Sequence, residues 1–127
     1  MEEVRAIVAG GRDFNNYGWL TSALDALIKE FSVTKIINGG AKGADYLAAK
    51  YCVDNNFPIE YYKVSREDWA KYGPAAGPRR NRLMAKNADI LLAFWDKKSR
   101  GTKNMIEEAR KQHLDIQIFY YEISPDK

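Results

Sequence analysis

The sequence predicts an α/β protein built on one doubly wound, parallel sheet of five strands, with helices on both faces. Short β-rich segments alternate with amphipathic helical segments along the chain. Glycine pairs end the first two β-rich segments, and a later segment, residues 90–95, is apolar throughout. A continuous apolar run of this length is typical of a parallel strand that is covered on both faces.

The length and composition are those of a single globular domain spanning residues 1–127. Of the 127 residues, 46% are hydrophobic and 29% are charged. No apolar run approaches the roughly 20 residues of a membrane helix, and the first apolar stretch is too short for a signal peptide. One cysteine and one histidine exclude an internal disulfide and a zinc site of the Cys and His type. We therefore expect a soluble, cytoplasmic protein.

The first half of the chain alternates between predicted strands and helices. The strands are residues 4–9, 34–38 and 59–64. Between them, apolar residues recur at helical spacing, which predicts one helix after each of the first two strands. The inward residues are Leu20, Ala23, Leu24, Leu27, Ile28 and Phe31 in the first helix, and Ala44, Leu47, Ala48, Tyr51 and Cys52 in the second.

The second half continues the alternation. Ser65 and Asp68 fit a capping box, which predicts a short helix over residues 66–72 that ends at Gly73-Pro74. Pro78 suits the first turn of the next helix, which runs to about Ala88. The remaining predicted elements are a strand at 90–95, a helix with Met105, Ile106 and Ala109 inward, a strand at 116–123 and a polar tail at 124–127.

Ligands of such sheets bind beyond the carboxyl ends of the strands, at the point where the strand order reverses. Glycines and charged residues collect in the loops after the first, second and fourth strands, which lie at that edge. The candidate ligand-binding residues are Gly10, Gly11, Arg12, Gly39, Gly40, Lys42, Gly43, Asp45, Arg80, Trp95, Gly101 and Thr102.

The glycine-rich loops predict an anion site, because exposed amides at a helix N-terminus bind phosphate. Neither the Walker A pattern nor the dinucleotide Gly-x-Gly-x-x-Gly pattern is present. Each loop residue also has an ordinary interpretation. Asp13 can accept from the backbone amides of a turn, Lys42 can be solvated, and Asp45 can stabilise the first turn of a helix.

Arg80 is the basic residue most strongly predicted to be functional. Helical spacing places it on an inward face with Leu83, Met84 and Asn87, whereas Arg79, Arg82 and Lys86 share a solvated face. An inward arginine needs an anionic partner. That partner is either a ligand phosphate or an acid such as Asp45 or Asp89.

Two residues beside the fourth strand have two interpretations each. Trp95 can stack on a base or anchor packing. Thr102 can bind phosphate, cap the helix that follows, or do both.

Residues suited to metal binding or nucleophilic catalysis are few. His113 is expected at the surface near a helix end, and Cys52 in the core. Asp13, Asp45 and Asp96 fall in site-side loops, where acids usually accept hydrogen bonds from backbone amides. We therefore predict neither a metal nor a cofactor.

Four segments in this order resemble one family. They are AGGRDF, NGGAKGAD, GPRRNRLM with NAD, and SRGT. Together they are similar to the YspA-like branch of the SLOG superfamily, which also includes the Lonely Guy phosphoribohydrolases and DprA, over residues 4 to about 118. The resemblance implies a Rossmann-like fold that binds nucleotides or nucleotide-derived ligands, such as relatives of ADP-ribose. Relatives often pair into dimers, which places a homodimer among the expected partners.

The resemblance to the Lonely Guy enzymes is incomplete where their catalysis lies. The matching positions are Arg80, Met84, Ala88-Asp89 and Gly101-Thr102. Asn81 replaces a lysine, and Asn104 and Met105 stand where those enzymes carry glutamates. The next acids, Glu107 and Glu108, are turned by about 200° and 300° around the helix from Met105. The phosphate-binding half is kept and the hydrolytic half is missing, so the question of enzymatic activity stays open.

Three functions follow from these residues and motifs, in order of preference. The first is binding of an ADP-ribose- or NAD-related ligand or a nucleoside monophosphate, for sensing or sequestration. The second is a nucleotide N-glycosidase or phosphohydrolase of the Lonely Guy type, with Asp13, Asp45 or Asp96 as the acid.

The third is binding of single-stranded nucleic acid, which ranks last because the net charge is only +3. It follows from Arg79, Arg82 and Lys86, which lie in a basic stretch, residues 63–86, with seven Lys or Arg against two acids. Aromatic residues, Trp69 and Tyr72, lie in the same stretch.

Overall fold

A computed structural model describes residues 2–122 as a five-stranded sheet with flanking helices. The strands are β1 (Arg5–Gly10), β2 (Lys35–Asn38), β3 (Ile59–Tyr61), β4 (Ile90–Trp95) and β5 (Asp115–Tyr120). The helices are α1 (Tyr17–Phe31), α2 (Ala44–Asp54), α3 (Arg66–Tyr72), α4 (Ala76–Lys86) and α5 (Arg100–Lys111). Within residues 2–122, no helix has both the length and the apolar character needed to cross a membrane.

All strands pair in parallel, in the order β3-β2-β1-β4-β5. The central strand β1 sets the register, with Ile7 aligned to Ile37 of β2 and to Leu91 of β4. The chain winds outward from β1 to β3, then crosses back to β4 on the other side of β1. The predicted doubly wound, Rossmann-like α/β fold is confirmed, and its switch point lies between β1 and β4.

The core consists of two layers, one on each face of the sheet. Alternate residues of β1 enter opposite layers: Val8 packs with the α1 and α2 side chains, and Ile7 with those of α4 and α5. The first layer contains Cys52, which is buried as predicted, and burial raises the pKa of its thiol to about 11. Helices therefore cover both faces of the sheet.

Two strands end earlier than the sequence predicts. β3 stops at Tyr61 rather than at residue 64, because its neighbour β2 ends at the aligned Asn38 and the chain then turns at Gly39. β5 ends at Tyr120. The end of the predicted strand at Ile123 and the predicted polar tail at 124–127 lie outside the described residues.

The crossing from β3 to β4 contains the predicted short helix. The Ser65 hydroxyl accepts from the Asp68 amide at 3.0 Å, and the Asp68 carboxylate accepts from the Ser65 amide at 3.4 Å. This confirms the capping box of α3. Gly73, with φ of +54°, ends the helix, and a 3₁₀ turn leads into α4.

Candidate anion-binding site

The predicted loops meet at the carboxyl edge of the sheet and enclose a cavity of about 230 Å³, which we call the inner pocket. Its lining includes the end of β1 and residues of α4 and α5, at the edge of the sheet where ligands of doubly wound folds bind. Six of the predicted site residues line it: Gly10, Arg12, Asp45, Arg80, Gly101 and Thr102. These residues are brought together from positions up to 92 apart in the chain.

Arg80 forms one wall of the inner pocket and is half-buried. Its Nη1 donates to the carbonyl oxygens of Gly39 at 3.0 Å and Tyr62 at 3.2 Å. Its Nε donates to Oδ1 of Asn81 at 3.0 Å. Within residues 2–122, Nη2 has no hydrogen-bond acceptor. The guanidinium is thus held in one orientation, with one nitrogen available to a ligand.

Of the two acids expected as partners of Arg80, Asp45 lies near its guanidinium and Asp89 does not. Burial lowers the pKa of the Arg80 guanidinium, and the charge of nearby Asp45 opposes that shift. Asp89 lies at the other edge of the sheet, where its Oδ2 accepts from the Arg5 amide at 2.9 Å. In the described part of the chain neither acid forms an ion pair with Arg80. Neutral carbonyls therefore satisfy most of its donors.

The inward face of α4 is centred on Asn81, one residue away from the predicted face. Leu83 was predicted to be inward but is 50% exposed, whereas Asn81 is 5% exposed. The reason is that α4 packs against α5 through Asn81, whose Nδ2 donates to Oδ1 of Asn104 at 2.9 Å. Asn81 therefore links the Arg80 side chain to the first turns of α5.

Asp45 is buried beneath the loop after β2. Its Oδ2 accepts from the amides of Gly39 at 3.2 Å and Ala41 at 3.1 Å, and the Gly40 amide donates to Oδ1 of Asn38 at 2.9 Å. The first three amides of this loop are thus used within the protein. The expectation that these three amides hold a phosphate is corrected: two of them hold Asp45 and the third holds Asn38.

Asp45 makes stability depend on pH. Burial raises the pKa of its carboxyl, against the hydrogen bonds of the Ala41 and Gly39 amides and the charge of Arg80. The folded chain then binds this proton up to a higher pH than the unfolded chain does. The resulting contribution to stability is lost as pH rises from about 3.9, the ordinary value of an aspartate, through the folded pKa.

Asp45→Asn removes this pH dependence while its amide oxygen still accepts the two backbone hydrogen bonds. We expect the unfolding free energy of the variant to fall less than that of the wild type between about pH 4 and pH 7. Urea denaturation across this range measures the difference, with Asp115→Asn as a control for loss of an exposed carboxylate. Parallel profiles for the wild type and Asp45→Asn would contradict the account.

The N-terminus of α5 forms the opposite wall of the inner pocket. Its cap is Ser99, whose hydroxyl accepts from the Thr102 amide at 3.4 Å, so the interpretation of Thr102 as the cap is wrong. Thr102 is buried, with its hydroxyl 3.0 Å from that of Ser99. The amides of Arg100 and Gly101 have no acceptor among residues 2–122. They are free donors at the positive end of the helix dipole.

A second cavity, the α2 pocket of about 540 Å³, adjoins the inner pocket through Arg12 and Ala41. The predicted residues Gly40, Lys42 and Gly43 line it. So does Tyr46, whose ring is 64% exposed and which was not among the predicted site residues. The one feature of the sequence that could have pointed to Tyr46 is that this aromatic residue falls on the polar side of the α2 pattern.

Three predicted residues line neither cavity. Gly11 is buried and its amide donates to the Phe94 carbonyl at 3.2 Å. Gly39 lies directly beneath the Arg80 guanidinium, which fills the space where a Cβ would be. Trp95 packs beside Tyr120 and donates its indole N–H to the Ser99 carbonyl at 3.1 Å, as expected of a packing anchor.

The remaining loop acids are engaged within the protein. Asp13 accepts the Tyr121 hydroxyl at 2.6 Å rather than the amides of its own turn. Asp96 accepts the amides of Lys98 and Ser99, both at 2.8 Å. Among residues 2–122, no cluster of three His, Cys, Asp or Glu side chains is placed to hold a metal ion.

A third cavity, the basic groove of about 440 Å³, lies between α3 and α4 and shares Arg80 with the inner pocket. Its cations are Lys63, Arg79, Arg80, Arg82 and Lys86, and Asp68 is its one acidic lining residue within the described chain. The Asp68 carboxylate already caps α3. The groove therefore carries an excess of positive charge.

The comparisons with known proteins show the family and the fold of the chain. The family model described as YspA, cpYpsA-related SLOG family matches residues 4–72, which is more than half of the chain. The chain belongs to this SLOG family. The resemblance inferred from the four sequence segments is thereby confirmed.

Relatives of this SLOG protein occur in phages and prophages. Gene 61 protein of Mycobacterium phage D29 is 30% identical over 120 residues, covering 88% of this chain and 93% of the relative. The uncharacterized SPbeta prophage-derived protein YoqJ of Bacillus subtilis (strain 168) is 31% identical over 68 residues, covering 54% of this chain and 39% of the relative.

Similarity to a solved structure also shows the fold. That structure is the DNA processing protein A (DprA) of Streptococcus pneumoniae, with a TM-score of 0.71 at 18% identity. The match covers 97% of this chain but only 52% of DprA, so the chain spans about half the length of that protein.

Proposed function

We propose that this SLOG domain binds a nucleotide or nucleotide-derived ligand through a phosphate in the inner pocket, for sensing or sequestration. One observation carries the proposal. Arg80, whose Nη2 has no acceptor within residues 2–122, and Gly101, whose amide has none either, line one cavity. The free amide of Arg100 adjoins Gly101 at the start of α5. Charge-assisted donors and a helix N-terminus directed at one cavity form a site for an anion.

The phosphate is assigned to the α5 side of the inner pocket. The amides of Gly39, Gly40 and Ala41 already have acceptors, whereas those at the start of α5 do not. Arg12 lines the same pocket and is exposed, so it supplies a second positive charge. Such a site favours a phosphate over a neutral sugar.

The base is assigned to the α2 pocket. Tyr46 presents an exposed ring there, and Arg12 connects this pocket to the inner pocket. Trp95, the residue first considered for stacking, is held away from the cavity by its bond to Ser99. An aromatic ring beside a phosphate site is a common arrangement for binding a base.

Binding without hydrolysis is favoured over the glycosidase alternative. Asn81 and Asn104 form a neutral amide pair at 2.9 Å beside the inner pocket, and neither residue can exchange a proton as an acid or base. Met105 is 1% exposed in the core. Glu108 faces Arg82 at 3.5 Å and Lys111 at 3.7 Å, and neither Glu108 nor Glu107 lines the pocket.

A thermal-shift screen tests the proposal, using AMP, ADP, ADP-ribose, cyclic ADP-ribose, NAD and ribose 5-phosphate. A bound nucleotide at 100 times its dissociation constant should stabilise the fold by about 2.7 kcal/mol and raise the melting temperature by several degrees. Chromatography of the same samples detects free base. Stabilisation without free base is the expected result. No shift with any nucleotide would overturn the proposal, and release of base would establish the glycosidase alternative.

The basic groove supports a second candidate, binding of single-stranded nucleic acid. Arg79 lies 3.8 Å from the centre of the Tyr72 ring, so charge and aromatic surface alternate along the groove. This function requires affinity for oligodeoxythymidylate that falls steeply with salt. Fluorescence anisotropy at low and physiological salt measures that dependence, and the absence of binding at low salt would exclude it.

A further inference from the structure

We propose that the natural ligand extends beyond one nucleotide: its phosphate is joined to a second sugar that carries a further phosphate, and this second phosphate lies in the basic groove. This inference rests on the proposed function, because it places the first phosphate in the inner pocket. It commits the domain to a dinucleotide-type ligand with two phosphates separated by one sugar.

The two cavities meet at a single charged side chain. Arg80 lines both the inner pocket and the basic groove. Its Nη1 and Nε are bound to protein oxygens, so Nη2 alone remains for a ligand. One free nitrogen suits contact with one phosphate, and it leaves the cations of the groove for another anionic group.

Three further cations of the basic groove, Arg79, Arg82 and Lys86, are spread along α4 from the position next to Arg80 to the C-terminal end of the helix. Arg79 and Lys86 are seven residues apart, which is about 10 Å along a helix. Neither forms an ion pair with an acid of residues 2–122. A second phosphate directly attached to the first would stay beside Arg80. A phosphate that is separated from the first phosphate by one sugar reaches the middle of the row of cations between Arg79 and Lys86.

The experiment compares three ligands by calorimetry: AMP, the dinucleoside monophosphate ApA, and its 5′-phosphorylated form pApA. ApA and pApA differ only by the terminal phosphate. We expect pApA to bind the wild type about tenfold more tightly than ApA, because one additional phosphate gains charge-assisted contacts.

The variant Arg79→Gln/Lys86→Gln removes two charges from the groove and is expected to bind pApA no more tightly than ApA, with AMP affinity unchanged. Lys29→Gln/Arg110→Gln removes the same charge from exposed positions outside the three cavities and is expected to keep the tenfold preference. Equal affinity of the wild type for ApA and pApA would overturn the inference, as would a preference that survives in the groove variant.

The same titrations distinguish failure of the proposed function from failure of the extension into the basic groove. If AMP, ApA and pApA all fail to bind, the inner pocket is not a nucleotide site. If AMP binds and the terminal phosphate of pApA adds nothing, the nucleotide site stands and only the extension into the groove is wrong.

The same phosphate–sugar–phosphate unit occurs in a free dinucleotide and at the 5′ end of a strand. A 5′-phosphorylated oligoadenylate of about eight nucleotides separates these sources. Tighter binding than pApA supports a strand end, and weaker binding supports the free dinucleotide.

Discussion

Replacing Arg80 by alanine is expected to weaken AMP binding by about 30- to 150-fold, because the variant loses a charge-assisted contact worth about 2–3 kcal/mol. In the proposed complex this contact is made by Nη2, which has no acceptor within residues 2–122, and Arg80 lines the inner pocket. The matched control is Arg79→Ala, which removes the same charge from the adjacent residue in the basic groove. We expect the control to keep wild-type AMP affinity in calorimetric titrations.

Arg80→Ala also has a structural cost, because Nη1 binds the carbonyls of Gly39 and Tyr62. We expect a loss of about 1–3 kcal/mol of unfolding free energy, measured by urea denaturation. Arg80→Lys keeps the charge but cannot reproduce the fork of donors, so its AMP affinity should be intermediate. Near-UV circular dichroism establishes that each variant is folded during the titration. A folded Arg80→Ala variant with wild-type affinity would refute the role of Arg80.

Gly43→Ala is expected to destabilise the fold by about 2–4 kcal/mol. Gly43 precedes α2 with φ of +75°, which L side chains rarely adopt. A Cβ at this position would strike the Gly11 carbonyl and lie 2.7 Å from the backbone of Arg12. Because those obstacles are backbone atoms of the loop after β1, that loop must move, and it carries part of the inner pocket.

Gly101→Ala is the matched control for this prediction. A Cβ at Gly101 meets no atom within 4 Å, and the residue lies in the first turn of α5. Alanine there is expected to be neutral or to stabilise by up to about 1 kcal/mol. Urea denaturation of the two variants measures both effects. Equal stability of Gly43→Ala and Gly101→Ala would contradict the close approach of the two loops.

The position of the candidate site was predictable from the sequence because it depends on local signals. Each strand that contributes to the site ends at glycine or polar residues, and the carboxyl ends of parallel strands share one edge. Helical spacing within one segment also predicted that Arg80 points inward, although the same spacing wrongly placed Leu83 on that face. These are properties of short stretches of chain.

The contacts between distant segments were not predictable. Gly39 was predicted to belong to an anion-binding loop, yet its lack of a side chain makes room for Arg80, 41 residues further on. Asn81 and Asn104 appeared only as replacements of catalytic residues, and their mutual hydrogen bond depends on how α4 packs on α5. The same packing turns Leu83 outward. A single sequence does not show which distant residues contact each other in the fold.

The most direct test of the phosphate site is an NMR titration of the ¹⁵N-labelled protein with AMP. The account predicts that the amide signals of Arg100 and Gly101 and the Nε–H signal of Arg80 shift together and saturate. Signals of Asn56 and His113, in the turns before β3 and β5 at the other edge of the sheet, should not move. Saturable shifts confined to other residues, or no shifts at all, would contradict a nucleotide phosphate in the inner pocket.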